Sequence, residues 1–309
     1  MGKIAFVFPG QGAQAVGMGK DVYENIAASR AIIDRADEAL GFSLSSIIFD
    51  GPDETLKQTA NTQPALLAVS VALLEAFKSS GIKPDFVAGH SLGEYSALVA
   101  AGVMSFEDAV RTVRARGEFM EQAVPGGQGA MAAALGAERE ALAALCAQVS
   151  AEAGAVELAN VNCPGQIVVS GTAAGVQAVV ERGKEAGAKR VIPLEVSGPF
   201  HSSLMKPAAD RLADVLAGLS LNDAAVPVVA NVTAEAVAGK DDIRRLLAEQ
   251  VYSPVLWEDS VRYLIAQGVD TFYEIGSGTV LAGLIKKIDR SVTVISVNTA
   301  ASAEAVTAG

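Results

Sequence analysis

The chain has 309 residues, half of them hydrophobic, enough apolar side chain for a large buried core in one big unit or two smaller ones. Its 35 acidic residues outnumber 24 basic ones, and the resulting net charge of -11 repels phosphate backbones, which argues against nucleic acid as a partner. The two cysteines, Cys146 and Cys163, are too few for a disulfide framework and lack the CxxC spacing of a zinc site, so no metal is expected.

At the N-terminus the apolar run Ile4 to Phe8 ends at Pro9, too short for the core of a signal peptide, and Phe6 breaks the myristoylation pattern. No apolar run is expected to reach the ~20 residues that span a bilayer. The reading is a soluble cytoplasmic protein of a reducing compartment, with no membrane association.

Taken in chain order, Lys3 to Phe8 reads as a buried strand running into the turn Pro9-Gly10-Gln11-Gly12. Gln63-Pro64 opens an apolar helix through Phe77, with proline in the first turn. Asp85 to His90 is a short strand, Leu92 to Ala101 a helix, and a further helix runs from Ser105, a plausible N-cap, to Ala123. Pro125-Gly126-Gly127 then breaks the pattern and marks a domain boundary. Beyond it come a strand (130–135), a helix (138–149), two strands (156–161 and 166–170) around the Cys163-Pro164-Gly165 turn, a helix (173–186) and a strand (190–196). That βαββαβ order is the ferredoxin-like pattern, so residues 128–196 read as a small domain inserted into a larger α/β one made of 1–127 and 197–309. The remainder alternates again: helix 204–219, strand 226–231, helices 241–251 and 259–267, strand 271–275, helix 280–288 and strand 292–297. The tail after Thr299 is small and polar and is expected to fray.

The strongest chemical signal is Gly89-His90-Ser91-Leu92-Gly93, a GxSxG sequence between a predicted strand and a predicted helix. Such a turn exposes the serine hydroxyl and puts backbone N–H groups where they can hold an oxyanion. Serine needs a base, and the chain offers two histidines. His90 adjoins the nucleophile, and a sharp turn points its side chain away from Ser91. His201, in Gly198-Pro199-Phe200-His201, is left. No carboxylate stands out to orient it: Asp85 precedes the nucleophile and Glu195 lies too close upstream, leaving a backbone carbonyl or an amide side chain for that task. On the helix after the elbow, Arg111 and Arg114 share a face that reads as solvated. Arg116 falls on the flank of Val113, Gly117 and Met120, where a partly buried guanidinium needs an anionic partner, either a structural carboxylate or a substrate's.

These residues carry a family resemblance. FVFPGQGAQ (6–14), TQPAL (62–66), GHSLGEYSALVAAG (89–102), RGEFMEQAVPGGQGAMAA (116–133) and IGSG (275–278) resemble the malonyl-CoA:acyl carrier protein transacylases and the acyltransferase domains of polyketide synthases. The resemblance implies an α/β-hydrolase-like core with a ferredoxin-like insert. It also implies Ser91 as nucleophile, His201 as base, and the carbonyl of Gln250 orienting the imidazole. Gln11 and Leu92 would supply the oxyanion hole and Arg116 the clamp for the malonyl carboxylate. Asn162, Phe200 and His90 would line the substrate cleft. The expected reaction passes malonyl from coenzyme A, a substrate and not a cofactor, to the phosphopantetheine thiol of acyl carrier protein, with the enzyme acting as a monomer. An acidic carrier would dock on local basic residues, with Lys189, Arg190, Lys206, Lys286 and Lys287 as candidates. The rival readings are a hydrolase built on the same elbow and a non-catalytic scaffold with a decayed site.

Overall fold

The computed structural model describes residues 2–306. The chain opens with β1 (Lys3–Phe8) and four short or medium helices, α1 (Lys20–Asn25), α2 (Ala27–Leu40), α3 (Leu44–Asp50) and α4 (Asp53–Lys57). The helix α5 (Thr59–Phe77) leads to β2 (Phe86–Gly89), α6 (Gly93–Ala100) and α7 (Phe106–Gln122). Next come β3 (Gly129–Leu135), α8 (Arg139–Glu152), β4 (Val156–Cys163), β5 (Gln166–Thr172), α9 (Ala173–Arg182) and β6 (Arg190–Pro193). The last third holds α10 (Lys206–Ala217), β7 (Val228–Val229), β8 (Ala236–Val237), α11 (Lys240–Gln250), α12 (Trp257–Ala266), β9 (Val269–Ile275), α13 (Val280–Ile288), β10 (Thr293–Val297) and α14 (Ala300–Ala305).

The molecule is mixed α/β with two separate sheets. The larger has the order β10-β9-β1-β2-β7-β8, parallel throughout except for the β7–β8 hairpin at its edge. A parallel sheet must be covered on both faces, and β1 shows how its sequence does so. Successive side chains point to opposite faces, so Phe6 and Phe8 join the cluster built with α5 and α7, while Ala5 and Val7 join Trp257, Leu281 and Ile285 of α12 and α13 on the other side. The smaller sheet, β4-β5-β3-β6, is antiparallel. Here Ala132 and Ala134 of β3 pack on α8 and α9, and the alternate residues Met131 and Ala133 line a cavity between the two sheets. The small sheet thus forms one wall of the cleft.

Several elements depart from expectation for identifiable reasons. The helix α5 starts four residues early and carries Pro64 inside it. A proline there removes the N–H that would bond the carbonyl of Ala60 one turn back, and Arg114 Nη1 fills the gap by donating to that oxygen at 3.2 Å. Arg114 is accordingly not a solvated residue: it also bonds Asn61 Oδ1 at 2.5 Å and Glu118 at 2.7 Å. By length and a hydropathy of 1.2, residues 59–80 would be long and apolar enough to cross a bilayer, contrary to the sequence expectation. In the fold that segment is core, with 94% of its apolar window buried. The strand expected over 226–231 shrinks to Val228–Val229, because Asn231 leaves the ladder to grip another part of the chain. The tail does not fray immediately after Thr299: a capping box between Thr299 and Ser302 starts α14, and only residues 307–309 of the tail lie outside the described residues.

Candidate active site

At the end of β2 the chain turns sharply through His90 and Ser91 into α6. Ser91 has φ 52°, a left-handed conformation that costs a non-glycine residue about 1–2 kcal/mol and so must be held in place by its surroundings. Asn231 does much of the holding. Its Oδ1 accepts the Ser91 N–H at 2.7 Å, and its Nδ2 donates to the carbonyl of Gly89 at 2.7 Å, clasping the turn from both sides. The two flanking glycines supply the room. A Cβ on Gly89 would overlap the backbone of Gly93, and a Cβ on Gly93 would overlap the Phe8 carbonyl at the end of β1. Gly93→Ala is therefore expected to destabilise the fold by about 3 kcal/mol, read as a fall of roughly 5 °C in the thermal midpoint. An unchanged midpoint would mean that the elbow has space to spare.

His201 reaches Ser91 across 110 residues of sequence, with Nε2 at 2.7 Å from the serine Oγ. It too has a left-handed backbone, φ 56°, and is buried. Its Nδ1 lies 2.8 Å from the main-chain oxygen of Gln250. A carbonyl only accepts, so Nδ1 carries the proton and Nε2 is left as the lone-pair nitrogen facing the hydroxyl. Burial, reinforced by the neighbouring Arg116 charge, pushes the imidazole pKa down to about 3. It is neutral, and therefore a competent proton acceptor, across the physiological range.

Arg116, on α7, is buried in this same group. Its Nη1 donates to Gln63 Oε1 at 2.7 Å, and its Nη2 to Gln250 Oε1 at 2.8 Å and to Ser91 Oγ at 3.1 Å. The guanidinium lies over the Tyr95 ring, 5.6 Å from its centroid, and its Nε has no hydrogen-bond partner among the described residues. All three acceptors are neutral, so the cation is oriented without being neutralised by direct contact. A planar donor fork within hydrogen-bonding reach of the Ser91 hydroxyl has the geometry to meet a carboxylate on a short acyl chain carried there.

Of the other sequence candidates, Gln11, His90, Asn162 and Phe200 line a cavity of about 430 Å³ that Ser91 and His201 also line. Phe200 and Met120 supply apolar wall, and Gln11 sits at the rim. The Gln11 carboxamide donates to Thr59 Oγ1 at 3.1 Å, and that hydroxyl pairs with Ser197 Oγ at 2.9 Å. His90 turns toward Asn162, its Nε2 2.8 Å from the amide oxygen, and packs on Trp257. Leu92, next after Ser91, is buried at the start of α6. Of the carboxylates weighed as orienters, Asp85 instead accepts the N–H of Ile4, and Glu195 only lines the cavity.

Sequence reasoning missed Gln63, Asn231, Glu94 and Tyr95. Glu94 and Tyr95 lie inside the elbow string, and Glu94 is the single charged residue of α6, a signal open to use. Asn231 bonds groups 137 to 142 residues away and carries no local mark.

A strained serine at a strand–helix turn, a buried neutral imidazole on its hydroxyl and a cation beside both define an α/β enzyme built for nucleophilic acyl chemistry. The chain belongs to the acyl transferase domain family, which it matches over residues 5–306, and within it to the malonyl-CoA:acyl carrier protein transacylases. The malonyl CoA-acyl carrier protein transacylase of Bacillus subtilis is 60% identical over 298 residues, covering 96% of this chain and 94% of that protein. The crystal structure of an acyl carrier protein S-malonyltransferase from Vibrio cholerae superposes with a TM-score of 0.95 at 48% identity, over 98% of this chain and 99% of that one. A malonyl-transacylase in complex with its type II polyketide acyl-carrier protein gives a TM-score of 0.96 at 42% identity, over 99% of each chain.

Proposed function

We propose that this chain transfers malonyl from malonyl-CoA to the phosphopantetheine thiol of acyl carrier protein through a malonyl-serine at Ser91, for fatty-acid or polyketide synthesis. The observation that carries the reading is the shared hydroxyl: Ser91 Oγ lies 2.7 Å from a basic imidazole nitrogen and 3.1 Å from a buried guanidinium. In the first half-reaction Ser91 Oγ attacks the thioester carbonyl as His201 Nε2 takes its proton. The oxyanion is held by the N–H of Leu92 and by Gln11, and the coenzyme A thiolate leaves, taking the proton back from His201. The Ser91 N–H is committed to Asn231, which leaves the Leu92 amide as the elbow's donor. In the second half the carrier thiol gives its proton to His201 and attacks the same acyl carbon, the acyl bond to Ser91 Oγ breaks, and the leaving serine oxygen takes the proton back from His201. Arg116 pairs with the malonyl carboxylate throughout, while Phe200, Asn162 and His90 shape the cleft.

In this reading residues 1–127 and 197–309 form an α/β-hydrolase-like catalytic unit, and 128–196 a ferredoxin-like insert that closes one side of the cleft. The element order β3-α8-β4-β5-α9-β6 and the sheet order β4-β5-β3-β6 support that division. The enzyme works as a cytoplasmic monomer with no metal or redox group. Hydrolysis is disfavoured by a charged clamp that orders a bound acyl chain. The deciding experiment is intact mass after mixing with malonyl-CoA, then with carrier protein. A malonyl adduct mapped to Ser91 that moves to the carrier supports the reading, and free malonate with no carrier product overturns it.

The exposed candidates for carrier docking are Lys189, Arg190, Lys206, Lys286 and Lys287. Two of them have their heads engaged: Lys206 sits over the Tyr252 ring, and Lys286 Nζ donates to the Val292 carbonyl. Reversing charge at Lys286 and Lys287 together is expected to raise KM for carrier protein about tenfold through weakened encounter, with malonyl-CoA loading within about twofold of the parent. Equal losses in both half-reactions would remove these lysines from the docking face.

A further inference from the structure

Among the buried ionisable side chains that the mechanism leaves without a task, one lies beside the clamp. Glu94, the second residue of α6, is 3% exposed. Its Oε2 accepts from Gln250 Nε2 at 2.7 Å and from the N–H of Asn231 at 3.3 Å. The other end of the same carboxamide, Gln250 Oε1, accepts from Arg116 Nη2 at 2.8 Å. A carboxylate and a guanidinium, both buried, are thus separated by one neutral amide that is polarised from each side. Gln250 Nε2 also donates to the Ser91 carbonyl at 3.0 Å, which fixes the amide in place.

This arrangement solves a conflict in the clamp. A buried guanidinium in direct ion contact with a protein carboxylate would have its fork occupied before substrate arrives. With no anion near, it would be costly to bury and would hold a malonyl carboxylate too firmly to pass it on. We propose that Glu94 sets the strength of the Arg116 clamp, balancing the guanidinium through the Gln250 carboxamide so that malonyl is held against Ser91 and then released to the carrier thiol. Glu94 is a positioning residue here, since it acts through Gln250 and Arg116. The proposal rests on the reading of Arg116 as the carboxylate clamp.

When malonyl is bound, two anions share one cation, and the state of Glu94 then decides how much of that cation the substrate sees. Burial raises the Glu94 pKa to about 7. Because Oε2 takes both hydrogen bonds, a proton on Oε1 leaves the network intact. The ionisable groups around it are Arg116 on α7, a guanidinium, the Tyr95 phenol on α6, which burial pushes up, and His201 and His90, whose burial favours the neutral imidazole. Glu94 is therefore a carboxylate at the upper end of that window and an acid at the lower end. As pH falls through it, the pull on a charged acyl group grows and the pull on an uncharged one does not.

The test is the ratio of malonyl to acetyl loading, from the rates of acyl-enzyme formation with malonyl-CoA and acetyl-CoA, on the whole enzyme at pH 6 to 8. Taking the ratio cancels His201, the elbow and the coenzyme A contacts, which serve both substrates. The parent enzyme is expected to show a ratio rising roughly five- to tenfold from pH 8 to pH 6, the effect of removing one nearby charge. Glu94→Gln should have the high ratio at every pH, with no slope. A parent ratio that does not change with pH overturns the proposal, and that measurement needs no folded variant. A Glu94→Gln ratio matching the parent's at pH 8 overturns it equally. Arg116→Ala separates the two levels of inference. A ratio unchanged by that substitution would defeat the clamp itself, whereas a collapsed ratio beside a flat parent profile defeats only the part assigned to Glu94.

Discussion

His201→Ala is expected to slow acyl-enzyme formation by about 10³-fold, and to do so equally for malonyl-CoA and acetyl-CoA. The equality is the informative part. His201 touches the reacting hydroxyl through Nε2 and the Gln250 carbonyl through Nδ1, and neither contact distinguishes one acyl group from another. Losing the ring takes away the proton acceptor and leaves the oxyanion donors and the cation at Arg116 in place. The variant should therefore still load slowly, with a rate that climbs as pH rises and hydroxide takes over as base. The parent should behave differently. Its imidazole pKa is pushed down to about 3, so the basic form is already complete well below the ordinary imidazole value of about 6.5. Acetyl loading should stay level from pH 8 down through 6.5, its acidic limb appearing only further down. The same shift bears on stability with a definite sign. The folded state binds this proton more weakly than the unfolded chain does, so the contribution of His201 is fully present above about 6.5 and is lost as pH falls toward 3. Rapid-quench loading followed by intact mass checks the rates. A loss confined to malonyl would show that the ring recognises the acyl group and is not the base.

How much of this site could be read beforehand depended on where its information is stored. Ser91 was legible because a nucleophile elbow has a local signature: two glycines at fixed offsets, which the structure explains as places with no room for a Cβ. His201 was legible by inventory, since the chain holds one other histidine and that one adjoins the serine. The orienting group was a different matter. It is a main-chain oxygen, and every residue has one, so the position of Gln250 came from family resemblance alone. The side chain of Gln250 does further work, joining Arg116, Glu94, Asn231 and Ser91, and no pattern in the sequence announced it. Asn231 shows the same limit in the fold. It follows two buried valines that read as part of a longer strand, yet its amide leaves the sheet to clasp the elbow. Arg114 was misread for a related reason. Helical spacing placed it on a polar face, but two of its partners, the Asn61 amide oxygen and the Ala60 carbonyl freed by Pro64, lie on another helix. The alternation of strands and helices was plain from periodicity, whereas contacts between residues far apart in sequence were not.

Arg116→Ala is expected to cut malonyl loading by about 10²- to 10³-fold while acetyl loading falls by no more than a few-fold. The magnitude follows from what the substitution leaves behind. On the proposed reading, a malonyl carboxylate in the parent exchanges water for the fork of a buried guanidinium. In the variant it must give up the same water with no cation to meet it, a loss of about 3–4 kcal/mol for an unpaired buried charge. Acetyl carries no such charge and loses only the Nη2 contact to Ser91 Oγ, which spans 3.1 Å and assists the developing negative charge modestly. The variant should also fold. Gln250 remains fixed by Glu94, Asn231 and the Ser91 carbonyl, so the imidazole keeps its orienting oxygen. Removal of the guanidinium leaves Gln63 Oε1 and Gln250 Oε1 without their donor, and the space it vacates lies beside Ser91, which lines the cavity, so water is expected to replace it. The expected result is a folded enzyme with a working nucleophile that no longer prefers a charged acyl group. Loading both thioesters in competition, with the adducts told apart by mass, measures this directly. If both acyl groups slow together, Arg116 supports the nucleophile and leaves acyl choice to the apolar wall at Phe200 and Met120.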